Sequence, residues 1–241
     1  MELVSLTLDC KDKSVLLIGD SHIPYEHMDY LKFIKVVSKK WNCETIIHMG
    51  DELDYHAISF HNSESSLLNA DKELEESIEI LKGWNEAFSK MYLLESNHGS
   101  LVTRRMKVDG VPVRVLKSQQ DLYGTPNWSW HHDILLETSI GNVYLCHGKA
   151  SPYGKLAREM GCSAVQGHFH GKSEITWHNR VGHQRYNMFV GCGISWSSMA
   201  FAYGKNNLPK PILSCGIIDK NGIPHLEKMI TDENGRWIGE V

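Results

Sequence analysis

Five short groups of residues that favour metal ions run along the chain in a fixed order: Gly19-Asp20-Ser21-His22, Gly50-Asp51, Asn97-His98, His147-Gly148 and Gly167-His168-Phe169-His170. Together they offer two carboxylates (Asp20, Asp51), five imidazoles (His22, His98, His147, His168, His170) and one carboxamide (Asn97). A carboxylate can bridge two cations, so one Asp can serve both, while imidazoles and a carboxamide oxygen fill the other positions with less added negative charge. Asp51 is the candidate bridge. This mixture of oxygen and nitrogen suits Mn, Fe, Zn, Co or Ni better than calcium, which prefers an all-oxygen shell. Two such metals, roughly 3.5–4 Å apart, acidify a shared water, align it with an electrophile and absorb the charge of an in-line displacement. Hydrolysis of a phosphate ester is the chemistry such machinery suits.

Taken singly, each group has a plainer reading. Gly-Asp pairs occur in turns, and Asn97-His98-Gly99 fits a loop with a left-handed residue. The paired His168 and His170, flanked by Gly167 and Gly171, resemble a ligand site more than core packing. The weight lies in the set: of fourteen histidines in the chain, five fall inside these groups.

The groups must be held by rigid elements, and the apolar patterning predicts them. Leu3 to Leu8 and Val15 to Ile18 read as buried strands, the second running directly into Gly19-Asp20. Tyr30, Ile34, Val37 and Trp41 recur at helical spacing, and Thr45-Ile46-Ile47 is the next strand, ending at Gly50-Asp51. Leu67, Leu74, Ile78, Leu81 and Phe88 mark a long amphipathic helix, and Met91 to Leu94 is the strand that delivers Asn97-His98. Three βα units thus end in three polar groups, at the strand ends where reactive residues collect in open α/β sheets.

The second half reads differently. Trp128 to Leu136 and Asn142 to Cys146 are expected as paired strands around Ser139-Ile140-Gly141, the second delivering His147. A short helix follows, with Ser151 as N-cap, Pro152 at its first position and Gly161 as its stop, before Ala164-Val165 leads to the Gly-His-Phe-His group. Glu174 to His178, Arg185 to Val190 and Ile212 to Ile218 suggest further strands. The sum is an α/β chain with two sheets packed face to face and flanked by helices.

The 241 residues, with 41% hydrophobic content, suffice for one sizeable core, and residues 1–241 are read as a single domain, with no linker, repeat or low-complexity run. No apolar run approaches the roughly 18 residues of a membrane helix. Cys10, Cys43, Cys146, Cys162, Cys192 and Cys215 lack CxxC spacing and no apolar N-terminal run precedes them, so they read as reduced thiols in a cytoplasm. A net charge of −4 argues against indiscriminate nucleic-acid binding.

The ordered set resembles that of the calcineurin-like metallophosphoesterases, whose pattern is D-x-H, G-D, G-N-H-[DE], H and G-H-x-H; the likeness covers residues 15 to 190. The resemblance implies a four-layer α/β/β/α sandwich of two mixed sheets flanked by helices. It implies that Asp20, His22, Asp51 and His170 hold one divalent metal and that Asp51, Asn97, His147 and His168 hold the other. Mn is the first expectation for the pair, with Mg, Fe, Zn, Co or Ni as alternatives. His98 is then the non-ligating histidine, acting as acid or charge stabiliser while a metal-bridging hydroxide attacks.

One departure stands out: Ser96-Asn97-His98-Gly99 has glycine where the family usually carries an acid, so the carboxylate that orients the histidine is missing there. Asp54 or Glu52 is the candidate substitute, against a plain reading as loop charges. The stretches Met49 to His56 and Ser96 to Ser100 are similar to phage-encoded members, which would place the protein in a host cytoplasm.

For substrate contacts the candidates are Arg104 and Arg105, whose guanidinium forks match phosphate oxygens, and His56; His61 and Lys149 are weaker candidates. The run Trp128-Ser129-Trp130-His131-His132 could stack a base, although strand tryptophans are more often core. The expected activity is hydrolysis of a small phosphomonoester such as a (deoxy)nucleoside monophosphate. The alternatives are a DNA-directed phosphodiesterase or nuclease, and a non-catalytic metal-binding scaffold. Neither a membrane partner nor a particular oligomeric state is implied.

Overall fold

The computed structural model describes residues 4–60, 65–180, 183–195, 197–198 and 210–241. Twelve strands and five α-helices are described. The first half runs β1 (Leu6–Asp9), β2 (Ser14–Ile18), α1 (Tyr30–Lys40), β3 (Cys43–His48), α2 (Ala70–Ala87), β4 (Met91–Leu94), α3 (Leu101–Val108) and α4 (Gln119–Tyr123). The second runs β5 (Trp128–His131), β6 (Ile134–Thr138), β7 (Gly141–Cys146), α5 (Lys155–Met160), β8 (Ser163–Gln166), β9 (Ser173–Arg180), β10 (His183–Val190), β11 (Ser214–Ile218) and β12 (Pro224–Lys228).

The strands form two six-stranded mixed sheets, ordered β1-β6-β7-β8-β10-β9 and β12-β11-β2-β3-β4-β5. In the second sheet β2, β3, β4 and β5 run parallel, so their carboxyl ends lie along one edge. Side chains alternate across β2: Leu16 and Ile18 join Tyr30, Phe33, Ile34, Val37, Leu81 and Trp84 beneath α1 and α2. Val15 and Leu17 face the other way and meet Leu136, Leu145, Val165 and Met188 of the first sheet. The outer face of that first sheet is covered by Leu156 and Ala157 of α5, packed on Tyr144, Cys146 and Ala164. The layers are therefore α/β/β/α, as expected.

Local chemistry explains the elements. In α1 the buried Tyr30, Phe33, Ile34 and Val37 fall on one stripe. Helix α2 opens on Asn69, whose side chain accepts from the Lys72 N–H at 3.0 Å, with Asp71 and Glu73 favourably placed in its first turn.

Three expectations are corrected. The Leu3 to Leu8 stretch is not a buried strand: β1 spans Leu6–Asp9, alternates half-buried with exposed positions and lies at a sheet edge, and Leu3 is outside the described residues. The Trp128 to Leu136 run is two strands in different sheets, β5 pairing with β4 and β6 with β7. Asp133 makes that crossing, since its buried carboxylate accepts from the Ser5 N–H at 2.8 Å and the Tyr144 hydroxyl at 2.8 Å. Finally, α5 starts at Lys155 with Gly154 at its N-cap, at φ +65°, while Ser151 and Pro152 lie in the turn before it.

The segment after β12 is stapled to the start of α1: Arg236 donates twice to Asp29, at 2.7 Å each, and the Trp237 N–H donates at 3.2 Å. Led by the Arg236 hydrogen bonds, these partners hold the Asp29 pKa down at about 2, below the range of an unfolded Asp. The stability Asp29 contributes is thus complete above the unfolded pKa and is lost as pH falls through about 2. We expect Asp29→Asn to melt roughly 2–4 °C below wild type at neutral pH, a gap that closes toward pH 2 in thermal melts.

Candidate metal centre

The chemistry-bearing groups meet where the two sheets present their carboxyl edges to each other. Asp20 follows β2, Asp51 follows β3, Asn97 and His98 follow β4, His147 follows β7, and His168 and His170 follow β8. Backbone ties fix the loops: the His22 N–H donates to the Asp51 carbonyl at 2.9 Å and the Gly193 N–H to the Asp20 carbonyl at 2.7 Å. The His98 N–H donates to Asp51 Oδ1 at 3.0 Å, and the His168 N–H to Asp20 Oδ2 at 2.8 Å.

Three overlapping donor sets result among the described residues; the third is His22, Asp54 and His98, and the first two share Asp51. Asp20, His22, Asp51 and His170 bring one donor atom each within 4.8 Å of one another, and Asp51, His147 and His168 do the same. In the first, His170 Nε2 stands 3.0 Å from Asp20 Oδ2 and 3.1 Å from His22 Nε2. In the second, His147 Nε2 faces Asn97 Oδ1 at 2.8 Å, Asp51 Oδ2 at 3.1 Å and His168 Nδ1 at 3.3 Å.

Tautomers follow from what lies behind the rings. A carbonyl can only accept, so His147 Nδ1 donates to the Met49 carbonyl at 2.8 Å and its Nε2 is turned toward the donor set. His22 Nδ1 donates in the same way to Asp54 Oδ1 at 2.6 Å. Asp20 is fully buried, and its Oδ1 accepts no hydrogen bond. Converging ring nitrogens, two carboxylates and an orphaned buried oxygen are what a divalent cation requires, so these residues fit divalent metal.

Electrostatics agree. Burial is the largest single influence on Asp20 and Asp51 and works to raise their pKa, but His147 and His170 at Asp20, and His147, His22 and His98 at Asp51, together outweigh it, and both carboxyls stay below the usual range. Burial opposes a charge on His147, yet Asp51 and Asp20 push its pKa up to about 9. In the metal-free chain a proton on His147 thus balances the carboxylates.

Backbone strain gathers here as well. His22 and Asp51, both at φ 50°, and His168, at φ 65°, occupy the left-handed region that costs a residue with a side chain of order 1 kcal/mol or more. Gly50 has φ 98°, and a Cβ there would fall 2.7 Å from His147 Nδ1, so only glycine admits the ring.

Asp54 occupies the gap left by Gly99. Its Oδ1 accepts from the His22 ring Nδ1 and lies 3.4 Å from His98 Nδ1, its Oδ2 lies 3.5 Å from His56 Nδ1, and its backbone carbonyl accepts from His98 Nδ1 at 2.5 Å. Burial raises the Asp54 pKa, but the hydrogen bonds from His22 and His56 outweigh it and keep the carboxyl ionised. Asp54 thus orients His22 and His98 together. The loop that carries it is anchored to α2 through Glu73, which accepts from the His56 and Ala57 N–H groups at 2.6 and 2.9 Å. Glu52 turns elsewhere, to the Trp130 indole at 2.8 Å.

The remaining candidates are less central. Arg104 donates to the Asn97 carbonyl at 2.7 Å and, with Phe60 and His98, lines a small cleft. Arg105 is committed to the Ile58 and Ser59 carbonyls at 2.9 and 2.7 Å. His56 is buried behind Asp54, and His61 lies outside the described residues. Lys149 sits on the rim over the Tyr144 ring. Trp128 is core, with its indole bonded to the Phe88 carbonyl at 2.9 Å. Sequence reasoning left out His48, which is buried behind the site against the Ser21 hydroxyl at 2.9 Å; a lone strand histidine carries no motif to mark it.

No family model matches the chain, and no curated protein sequence does. Among solved structures it is similar to Vps29 of Chaetomium thermophilum, at 10% identity and a TM-score of 0.49, over 93% of this chain and 90% of that one. A Vps29 single mutant from Entamoeba histolytica shows 13% identity and a TM-score of 0.47, over 90% and 93% of the two chains. YfcE, a phosphoesterase from E. coli, shows 14% identity and a TM-score of 0.39, over 93% and 96%. At such scores, what this chain does must be argued from its own residues. No described helix is long and apolar enough to cross a membrane.

Proposed function

We propose that the chain is a binuclear metal-dependent phosphoesterase acting on a phosphomonoester, such as a (deoxy)nucleoside monophosphate. The observation that carries this reading is the pair of donor sets sharing Asp51, with the non-ligating His98 bonded to that same carboxylate through its backbone N–H at 3.0 Å. The sequence resemblance to the calcineurin-like metallophosphoesterases points the same way. Asp20, His22, Asp51 and His170 would hold one metal, and Asp51, Asn97, His147 and His168 the other. Bound there, Mn or a similar divalent pair would supply Lewis acidity, lowering the pKa of a water and neutralising phosphoryl charge.

The chain's own groups do the rest. His98, its Nδ1 tied to the Asp54 carbonyl, presents Nε2 to the leaving oxygen, to which it gives a proton or whose charge it stabilises. Arg104, beside His98, extends a cation along the cleft for a phosphate oxygen. The free cysteines fit a reducing cytoplasm.

The test is to strip the protein of metal, refill it with Mn, Mg, Ni or Zn, and assay p-nitrophenyl phosphate, bis(p-nitrophenyl) phosphate, nucleoside monophosphates and single-stranded DNA. Turnover of the monoesters is expected. Cleavage of the diester and DNA instead would favour a nuclease, and no turnover with any metal would leave a metal-binding scaffold.

Asp54 supplies a sharper check. Asp54→Asn removes the charge that aligns His22 and His98, and a loss of about 10- to 100-fold in kcat/KM or metal affinity is expected. Parallel metal titration and steady-state assays read both quantities, and an unchanged variant would return the orienting role to some other group.

A further inference from the structure

A cavity of about 800 Å³ lies beside the metal centre, walled by Val102 of α3, Leu122 and Tyr123 of α4, Leu116 and Trp130. It shares Glu95, Ser96 and Ser100 with the cavity of about 370 Å³ lined by Asn97, His147 and His168, so the two chambers adjoin. Its volume falls in the range of small-molecule sites, and apolar and aromatic side chains share its wall with polar ones, Lys117 and Gln119 among them. Two acids line that wall, and of these Glu95 is exposed whereas Glu52 is buried, 2% exposed.

Glu52 is half-satisfied. Its Oε1 accepts the Trp130 indole N–H at 2.8 Å, whereas its Oε2 is buried with no hydrogen-bond partner. Such an oxygen calls for a donor. Gly99 lies beside the same carboxylate, on the side of its bonded oxygen: a Cβ there would stand 3.1 Å from Ser96 Oγ and 3.9 Å from Glu52 Oε1. An acidic side chain at position 99 would enter this wall and repel Glu52. Glycine leaves the wall clear, while Asp54 serves His98 from the opposite side.

We propose that this cavity seats the base of a nucleotide whose phosphate lies at the metal centre, with a base N–H donating to Glu52 Oε2. An alkyl chain would fill the apolar walls but leave that oxygen unpaired, whereas a nucleobase offers both a flat apolar face and an N–H edge. The inference rests on the phosphoesterase reading, and its test is chosen to be separable from it.

The test measures nucleoside binding to the metal-free protein by calorimetry, with no turnover involved. Adenosine or guanosine should bind, and purine riboside, which lacks an N–H on its base, should bind about tenfold more weakly. Glu52→Gln replaces the free acceptor by an amide and should erase that tenfold difference. Leu122→Trp fills the chamber without touching the loop of Asp51 and should abolish nucleoside binding. Failure of every nucleoside to bind, purine riboside binding as tightly as adenosine and guanosine, or tighter binding of an alkyl phosphate would each overturn the proposal. Turnover of phenyl phosphate by the metal-loaded protein without nucleoside binding removes the base site alone. Nucleoside binding without turnover of any ester by that protein removes the phosphoesterase reading and leaves a nucleoside site.

Discussion

Asp51→Asn should lower phosphomonoester turnover by roughly a thousandfold or more, since it weakens at once both donor sets that share the residue and with them several kcal/mol of charge stabilisation. The residue is 1% exposed, and its carboxylate lies 3.1 Å from His147 Nε2, 3.6 Å from His22 Nε2 and 3.0 Å from the His98 N–H. An amide offers one acceptor and no charge, so neither imidazole set is balanced. Metal content should drop from two per chain by elemental analysis, and the rise in Tm on adding Mn should shrink, because a ligand stabilises only in proportion to its occupancy. The acid side is informative as well. His147, with its pKa pushed up to about 9 by Asp51 and Asp20, holds a proton that a cation must displace in the metal-free protein. Metal affinity of the wild type should therefore rise as pH increases toward 9, and the dependence should flatten in Asp51→Asn. A variant that kept turnover within a few-fold of wild type would remove Asp51 from the bridging role.

The second large effect belongs to His98. His98→Ala leaves the two donor sets that share Asp51 intact, so both metals should still load, while kcat falls about 10²- to 10⁴-fold. The loss should be smaller for p-nitrophenyl phosphate, whose leaving group needs little protonation, than for an alkyl phosphate. Equal losses on both would assign His98 to charge stabilisation of the phosphoryl group. Unchanged rates on both would place it outside the reaction.

Much of this centre is legible in the sequence because strand ends are. An apolar run that stops at Gly-Asp or at Asn-His announces both the strand and its cargo, and the groups after β2, β3, β4, β7 and β8 all converge. What sequence spacing hides is direction. Glu52 and Asp54 are two residues apart, and spacing alone offers either to orient His98; the strained backbone at Asp51 and Tyr55, both left-handed, turns Asp54 to the histidines and leaves Glu52 against Trp130. The crossing between β5 and β6 is hidden for a similar reason. No Gly or Pro marks the switch, and the signal is one buried Asp133 whose partners, Ser5 and Tyr144, are remote or across the sheet. The start of α5 misleads because Ser-Pro is a strong helix-start signal, overridden by the left-handed Gly154, where a side chain would collide with His178.

The two sheets touch through an apolar seam, and the donor groups close one end of it. Asp20 follows β2 of one sheet, and His168 and His170 follow β8 of the other, 148 and 150 residues along the chain. A cation held by both would act as a removable rivet between halves of the molecule, tying a loop of chain long enough that closure entropy matters. Stripping it should loosen the rim of the seam before the β2 and β3 interior, so amides near Gly167 and Gly193 should exchange with solvent faster while those of Leu16 and Ile47 stay protected. The chemistry and the cohesion of the two sheets would then share one set of side chains.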